Sequence, residues 1–329
     1  MSAKENILKL LQENKEISVK EITDILHVSK QMAHIVLNQL MEQGTVYKLG
    51  RVPHTSYRLK TNVTKSKESQ EEPPVPAIHE EFLNRNFLEV TPIGDLLQGS
   101  EAFNYWCNQR NLPTLKTLDE YIRTTDKYKK YHDGYGYIKG IEKLKNTKGY
   151  DHIWLDSLFY LDFYAIERFG KTRLGALLHY AKQGQNKYLM SLLVQETREK
   201  IMNFLKIHKA DAIGFVPPTI RREVQFMKYL ETHLKITLPA IKIRKMSGII
   251  PVPQKSLSKL EDRISNATNT FAIADQRSFR HVVLIDDAVG SGSTLNQIAE
   301  KIKTKKVATK VTGLAVVGSF KGFDVITDV

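Results

Sequence analysis

Apolar residues recur at helical spacing over the first 44 positions of the chain. Ile7, Leu8, Leu10 and Leu11 share one face; Val19, Ile22, Ile25 and Leu26 share a second; Met32, Ala33, Ile35, Val36, Leu37 and Leu40 share a third. Ser18 precedes the second helix with Glu21 at the capping-box spacing, His27-Val28 makes a short turn, and Ser29 is placed to cap the third helix. After Gly44 the period drops to two: Val46 and Leu49 alternate as in a strand, Gly50-Arg51-Val52-Pro53-His54 makes a tip, and Ser56 to Leu59 returns. Residues 61–75 hold Ser, Lys, Glu, Gln and Pro with almost no apolar side chain, which predicts a flexible connector. Residues 76–184 are rich in aromatic side chains, Leu158 to Phe169 has a helical pattern, and a mostly helical region is expected. From 185 to 329, short apolar runs alternate with helical stretches. Helices are expected over Leu189 to His208, Ile220 to Leu234 and Leu295 to Lys303; strands over Asp211 to Val216, Leu238 to Ile243, Val282 to Asp287, Lys310 to Ser319 and Phe323 to Val329. That alternation predicts an α/β domain on a parallel sheet.

Composition narrows the partners. The chain has 329 residues, enough for two or three domains, and 41% of them are hydrophobic. No apolar run is long enough to span a bilayer, and Met1-Ser2-Ala3-Lys4-Glu5 opens no apolar signal core. A single cysteine, Cys107, excludes a disulfide scaffold and a cysteine-type zinc cluster. These features predict a cytoplasmic protein with no membrane partner. A net charge of +13 favours polyanions, either nucleic acid or a highly charged phosphate ligand. Lys127-Tyr128-Lys129-Lys130-Tyr131-His132 interleaves cations with rings. Two readings stand: a base-stacking track, or a helical subdomain with its aromatics inside. His132-Asp133 and His179 have no partners at metal or triad spacing.

The strongest chemical signal lies at His281 to Leu295. A buried-strand run ends in Asp286-Asp287; Ala288-Val289 follow, then Gly290-Ser291-Gly292-Ser293-Thr294, with Thr294 read as the cap of the next helix. At the carboxyl end of a parallel strand such a loop can aim backbone N–H groups and a helix N-terminus at an anion. The two acids suit sugar hydroxyls or an oxygen-liganded Mg²⁺. Leu295 replaces the third Gly of the dinucleotide fingerprint, and no Lys follows Gly292 as the P-loop requires. The segment resembles the phosphoribosyl-pyrophosphate (PRPP) loop of type I phosphoribosyltransferases, and within that family the competence-F (ComF) type most. Supporting the resemblance are Val216-Pro217-Pro218-Thr219 followed by Arg221-Arg222, Ile243-Arg244-Lys245, and Gln254-Lys255 with Arg263, Asn266 and Phe271. One departure is the loop itself, where the family has Thr-Thr-Gly-Ala-Thr.

The resemblance implies roles. Gly290, Ser291, Gly292, Ser293 and Thr294 would hold the 5′-phosphate. Asp286 and Asp287 would be catalytic, binding the ribose hydroxyls and an indirectly held Mg²⁺. Pro218, Thr219, Arg221, Arg222 and Lys245 would meet pyrophosphate, and Gln254, Lys255, Arg263 and Asn266 would belong to a flap closing over the ligand.

The first 60 residues resemble a winged helix-turn-helix, whose third helix enters the major groove while the wing touches the backbone. By that resemblance Lys30, Gln31, His34 and Asn38 on the third helix, with Lys48, Arg51, His54 and Arg58 on the wing, would meet nucleic acid. The expected architecture is therefore a winged helix over 1–60, a linker over 61–75, a mostly helical aromatic-rich region over 76–184 and a phosphoribosyltransferase-like α/β domain over 185–329. Expected partners are PRPP or a related phosphosugar, Mg²⁺, and DNA or another nucleic acid, with a homodimer left open. Three functions stay open: a phosphoribosyl-transferring or -cleaving enzyme; a PRPP-sensing regulator without turnover, a layout that resembles the purine repressors of some Gram-positive bacteria; and an effector of a phage-defence system such as a retron.

Overall fold

The computed structural model describes residues 3–14, 17–51, 54–59, 75–146, 150, 152–218, 222–246 and 270–319. Two compact units emerge: Met1–Pro74 with Glu89–Leu97, and Val75–Leu88 with Gln98–Val329.

In the first unit the helical spacing becomes α1 (Ala3–Glu13), α2 (Val19–Leu26) and α3 (Lys30–Glu42); β1 (Ile17–Ser18), β2 (Val46–Arg51) and β3 (His54–Leu59) form a sheet in the order β1-β3-β2. The capping box forms as expected: Glu21 N–H donates to Ser18 Oγ, and Ser18 N–H donates to Glu21 Oε2 at 2.7 Å. His27 takes a left-handed φ of 49° between α2 and α3, and Ser29 caps α3 by accepting from Met32 N–H at 3.1 Å. Most of the apolar stripes meet in one core of Ile7, Leu10, Leu11, Ile22, Ala33, Val36, Leu37 and Leu40, closed by Val46 and Tyr57, whereas Ile25, Met32 and Ile35, expected on the same faces, are exposed. Burial of this face, more than propensity, holds helices this short.

The remaining strands and helices are α4 (Ala77–Asn86), β4 (Leu88–Val90) paired with β5 (Leu96–Gln98), α5 (Gly99–Asn108), α6 (Thr114–Lys129), β6 (Ile138–Lys139), α7 (Ile141–Lys145), β7 (Ser157–Phe163), α8 (Arg173–Gln183), α9 (Lys187–Ile207), β8 (Ala212–Phe215), α10 (Phe226–Leu234), β9 (Ile243–Lys245), β10 (Phe271–Ile273), β11 (Phe279–Val289), α11 (Ser293–Thr304) and β12 (Ala308–Gly318). The second unit is built on a five-stranded sheet in the order β6-β7-β12-β11-β8. β7, β12, β11 and β8 run parallel, and β6 closes one edge antiparallel.

Four expectations are corrected. Leu158 to Phe169 is not a helix: it forms β7 and then a short 3-10 turn, Glu167–Phe169. A continuous apolar run reads equally as buried strand or buried helix, and its aromatic content favours the pleated sheet. Residues 138–163 thus supply two sheet strands from a region expected to be helical. Leu238 to Ile243 is not a sheet strand either. It makes one bridge, Ala240 to Ile213, and the extended segment begins at Ile243 and pairs antiparallel with β10. Pro239 lacks the N–H a longer ladder needs. The helix expected from Ile220 begins only at Phe226, because Val224 N–H is taken by the side chain of Gln185 and the Arg222 guanidinium donates to the carbonyl of Lys182. The fourth correction, at Thr294, belongs to the site. The strand expected over Phe323 to Val329 lies outside the described residues.

The mixed Lys–Tyr stretch resolves toward packing. Tyr121 and Tyr128 are buried; Tyr121 sits among Phe87, Phe103 and Phe169, Tyr128 lies edge-on to Phe163, and Lys127 pairs with Glu167.

One buried carboxylate ties the edge segments together. Asp275 accepts from the N–H groups of Lys242 and Arg277 and from the Arg277 guanidinium, which also donates to the carbonyl of Ala240. The Arg277 guanidinium, more than any other cause, holds this carboxyl well below its ordinary value of 3.8. Asp275→Ala leaves two part-buried N–H groups without their acceptor and is expected to cost about 2 kcal/mol at neutral pH. Because the folded-state value is depressed, that stabilisation exists above 3.8 and is lost as pH falls through the folded value. Melting the variant and the parent across acid pH checks this: the gap between them should close on acidification.

Candidate functional site

β11 is longer than its neighbour on one side. It pairs with β8 only as far as Ile285↔Phe215, whereas its ladder with β12 continues through Asp286↔Ala315 and Ala288↔Val317 to Val289↔Gly318. Val216 N–H still bonds the carbonyl of Ile285, after which the β8 chain departs. The last four residues of β11, the acidic pair among them, therefore overhang the end of β8. Open parallel sheets bind ligands beyond this carboxyl end of their strands.

Strand alternation sends Asp286 and Asp287 to opposite sides. Asp286 turns back on its own strand, its Oδ1 accepting from Asp287 N–H at 2.8 Å. Its carboxyl is held above the ordinary value, first by withdrawal from water and then by the neighbouring charge of Asp287. Asp287 is ion-paired: its Oδ2 lies 2.7 Å from Lys182 Nζ, with the two side chains 15% and 21% exposed. Lys182 stands in the last turn of α8, where a cation also complements the helix dipole. Arg222 reaches the same helix end, donating to the carbonyl of Lys182 and, at 3.4 Å, to Gln183 Oε1. The sequence reading missed Lys182, and only its place near a helix stop at Gly184 marked it.

Beyond Val289 the chain turns through Gly290, Ser291 and Gly292 into α11. Gly292 is the cap residue with φ of 80°, and a Cβ built there would lie 2.9 Å from Leu144 Cδ1, so both conformation and space call for glycine. Here the expected cap is corrected. α11 begins at Ser293, Thr294 is its second residue, and Ser291 Oγ accepts weakly from Ser293 N–H at 3.4 Å while lying 2.7 Å from Ser293 Oγ. A left-handed glycine let the helix start two residues early.

A strap crosses this turn. Tyr150 donates its hydroxyl to the carbonyl of Ser291 at 2.9 Å, and Leu144 packs on Gly292. Fully buried Asn296 pins residues 152–155 to the first turn of α11, accepting from Trp154 and Leu155 N–H groups and donating to the carbonyl of His152. Ser293 is only 2% exposed and Gly292 is buried, whereas Gly290, Ser291 and Thr294 keep partial exposure.

The other expected site residues divide three ways. Pro218 follows β8 and is partly exposed; Lys245 is partly buried in β9, paired with Phe271. Thr219, Arg221, Gln254, Lys255, Arg263 and Asn266 lie outside the described residues. In the first unit, Lys30, Gln31, His34 and Asn38 are all exposed on α3, opposite its buried residues Ala33, Val36, Leu37 and Leu40. Lys48 is exposed on β2, and Arg51 and His54 are register partners at the tip end of the hairpin. Among the described residues no three acidic, histidine or cysteine side chains converge as a metal site, and no helix is long and apolar enough to cross a membrane.

Residues 3–47 match the winged helix-turn-helix DNA-binding family. No curated protein matches the chain. Among solved structures it is weakly similar to a hypoxanthine phosphoribosyltransferase from Staphylococcus aureus, at 14% identity over 38% of this chain with a TM-score of 0.23, and it spans 62% of that protein's length. It is also weakly similar to a purine phosphoribosyltransferase from Pyrococcus horikoshii, at 17% identity over 41% of this chain and 93% of that one with a TM-score of 0.21.

Proposed function

We propose that the chain binds PRPP or a related phosphosugar where β11 turns into α11, binds nucleic acid through α3 and the β2–β3 hairpin, and transfers or cleaves phosphoribosyl groups. The observation that carries the first part is the overhang of β11: two carboxylates, a Gly/Ser turn and a helix N-terminus share one strand end. Breaking the bond between the ribose C1 and pyrophosphate builds positive charge on the sugar and negative charge on the leaving group. A site of this kind lowers the barrier by fixing both ends and meeting each charge with its opposite. Gly290, Ser291 and Thr294 offer N–H and hydroxyl groups to the 5′-phosphate. Asp286 and Asp287 serve the ribose hydroxyls and the cationic sugar; Lys182 and Arg222, at the end of α8, would meet the negative charge that leaves. Asp286 and Asp287 would hold a Mg²⁺ indirectly, through the bound ligand, since among the described residues no third acid joins them. When bound, that ion would neutralise charge on the pyrophosphate.

A second reading, a PRPP-sensing regulator without turnover, is favoured by one feature. Asp287 already has a cation, and Leu144 and Tyr150 already lie on the turn, so a ligand must exchange these contacts and thereby move the strap. One experiment separates the readings: incubate the chain with PRPP, Mg²⁺ and a panel of nucleobases, following pyrophosphate release, and measure duplex DNA affinity with and without PRPP. Base-dependent release is the expected result. Absence of release with PRPP-dependent DNA affinity assigns the sensor, and absence of both removes the phosphosugar reading.

A further inference from the structure

We infer that α3 is built to read A·T base pairs in the major groove, with Ile35 seated against a thymine methyl group. The inference rests on the nucleic-acid reading of the first unit and names what that helix selects.

The outer face of α3 is ordered. Gln31, Ile35 and Asn38 follow one another at spacings of four and three, so they are neighbours on one side of the helix. That side is opposite Ala33, Val36, Leu37 and Leu40, which are buried. Ile35 is 47% exposed at its centre, outside the core. Met32, three residues before it on the same helix, is 44% exposed as well, and scattered surface apolar residues are unremarkable by themselves. Here Gln31 one turn before it and Asn38 one turn after it give it a meaning: they are carboxamides, the side chains that pair bidentately with adenine N6 and N7. The matching apolar contact in that groove is the thymine C5-methyl, the one apolar group on a base edge there. From Gln31 to Asn38 the helix rises about 10 Å, the rise of about three base pairs. An adenine reader, a methyl reader and a second adenine reader thus fit successive A·T pairs.

The charges agree with entry by the N-terminal end. Lys30 opens the helix beside its Ser29 cap, Lys48 is exposed on β2, and the one acid of α3, Glu42, closes the far end. α3 carries no arginine, the usual bidentate reader of guanine, and Lys30 in the first turn is placed for phosphate.

The test uses the full chain. Duplexes selected from a randomised pool are expected to share a run of A·T pairs. Replacing the thymines of that run by uracil removes only the methyl group and is expected to weaken wild-type binding about 3- to 10-fold. Ile35→Ala, folded by circular dichroism because the position is exposed, should bind the thymine site as weakly as wild type binds the uracil site, and should be indifferent to uracil. Selection of G·C pairs, or wild-type indifference to uracil, overturns the inference and leaves DNA binding standing. No salt-dependent binding to any duplex removes the nucleic-acid reading and the inference with it. Loss of self-association in Ile35→Ala, with DNA affinity unchanged, also overturns it and gives the patch to a second copy of the chain.

Discussion

Replacing Asp286 and Asp287 together with asparagine is expected to abolish phosphoribosyl transfer and to weaken PRPP binding about 100-fold. Asparagine keeps the shape of each side chain, and the β11–β12 ladder is made by backbone groups, so the sheet survives. What disappears is the negative charge of Asp287 facing a sugar that turns cationic in the transition state, and the hydrogen bonds that the ribose hydroxyls make to both carboxyl groups, Asp286 keeping its proton more tightly. Each such bond is worth about 1.5–3 kcal/mol, and losing preorganised charge at the reacting centre costs about 10²–10³ in rate. Pyrophosphate release and PRPP affinity, measured beside an unchanged circular dichroism spectrum, check this. Activity in the double variant would remove the acids from the chemistry.

The single variant Asp286→Asn has a second, independent readout. Burial and the charge of Asp287 hold the Asp286 carboxyl above its ordinary value of 3.8 in the folded chain. As pH rises past 3.8 the unfolded chain releases this proton first, so the group lowers stability with rising pH. Asparagine has no proton to lose. The variant should melt like the parent in acid and above it at neutral pH; a lower melting temperature at neutral pH would mean the charged form is well accommodated.

The second large effect is expected at Lys182. Lys182→Met keeps the aliphatic length of the side chain but leaves Asp287 mostly buried without its cation. Breaking such a pair by removing one partner exposes the desolvation cost that the pair had offset, here about 2 kcal/mol because some exposure remains. The Lys182→Met, Asp287→Asn double variant should recover most of that loss, since it removes the orphaned charge as well. Chemical denaturation of all four proteins gives the coupling energy. Additive single effects would mean that the ion pair contributes nothing to the fold.

Much of this was legible from residue order alone. Helical spacing, the Ser18–Glu21 box and the Ser29 cap specified the first unit because each is a local rule with a local cause. The strand, acid pair and Gly/Ser turn at 279–292 were legible for the same reason. What stayed hidden is tertiary. β7 read as helix because an apolar run buried on both faces carries no period of its own. Lys182 lies about a hundred residues before the acid it neutralises, and only the packing of α8 brings them together. The strap of Leu144, Tyr150 and residues 152–155 announces nothing in sequence; it is held by Asn296, a residue whose role depends on where α11 begins. Thr294 lost its expected cap role to Gly292, whose left-handed backbone is a geometric option, not a sequence signal.

The most direct measurement is a calorimetric titration of PRPP with Mg²⁺ into the whole chain. Saturable one-to-one binding is expected, reproduced more weakly by ribose 5-phosphate and lost in the Asp286→Asn, Asp287→Asn variant. No heat and no change in melting temperature at millimolar PRPP, with the chain folded, would contradict a phosphosugar site at the end of β11.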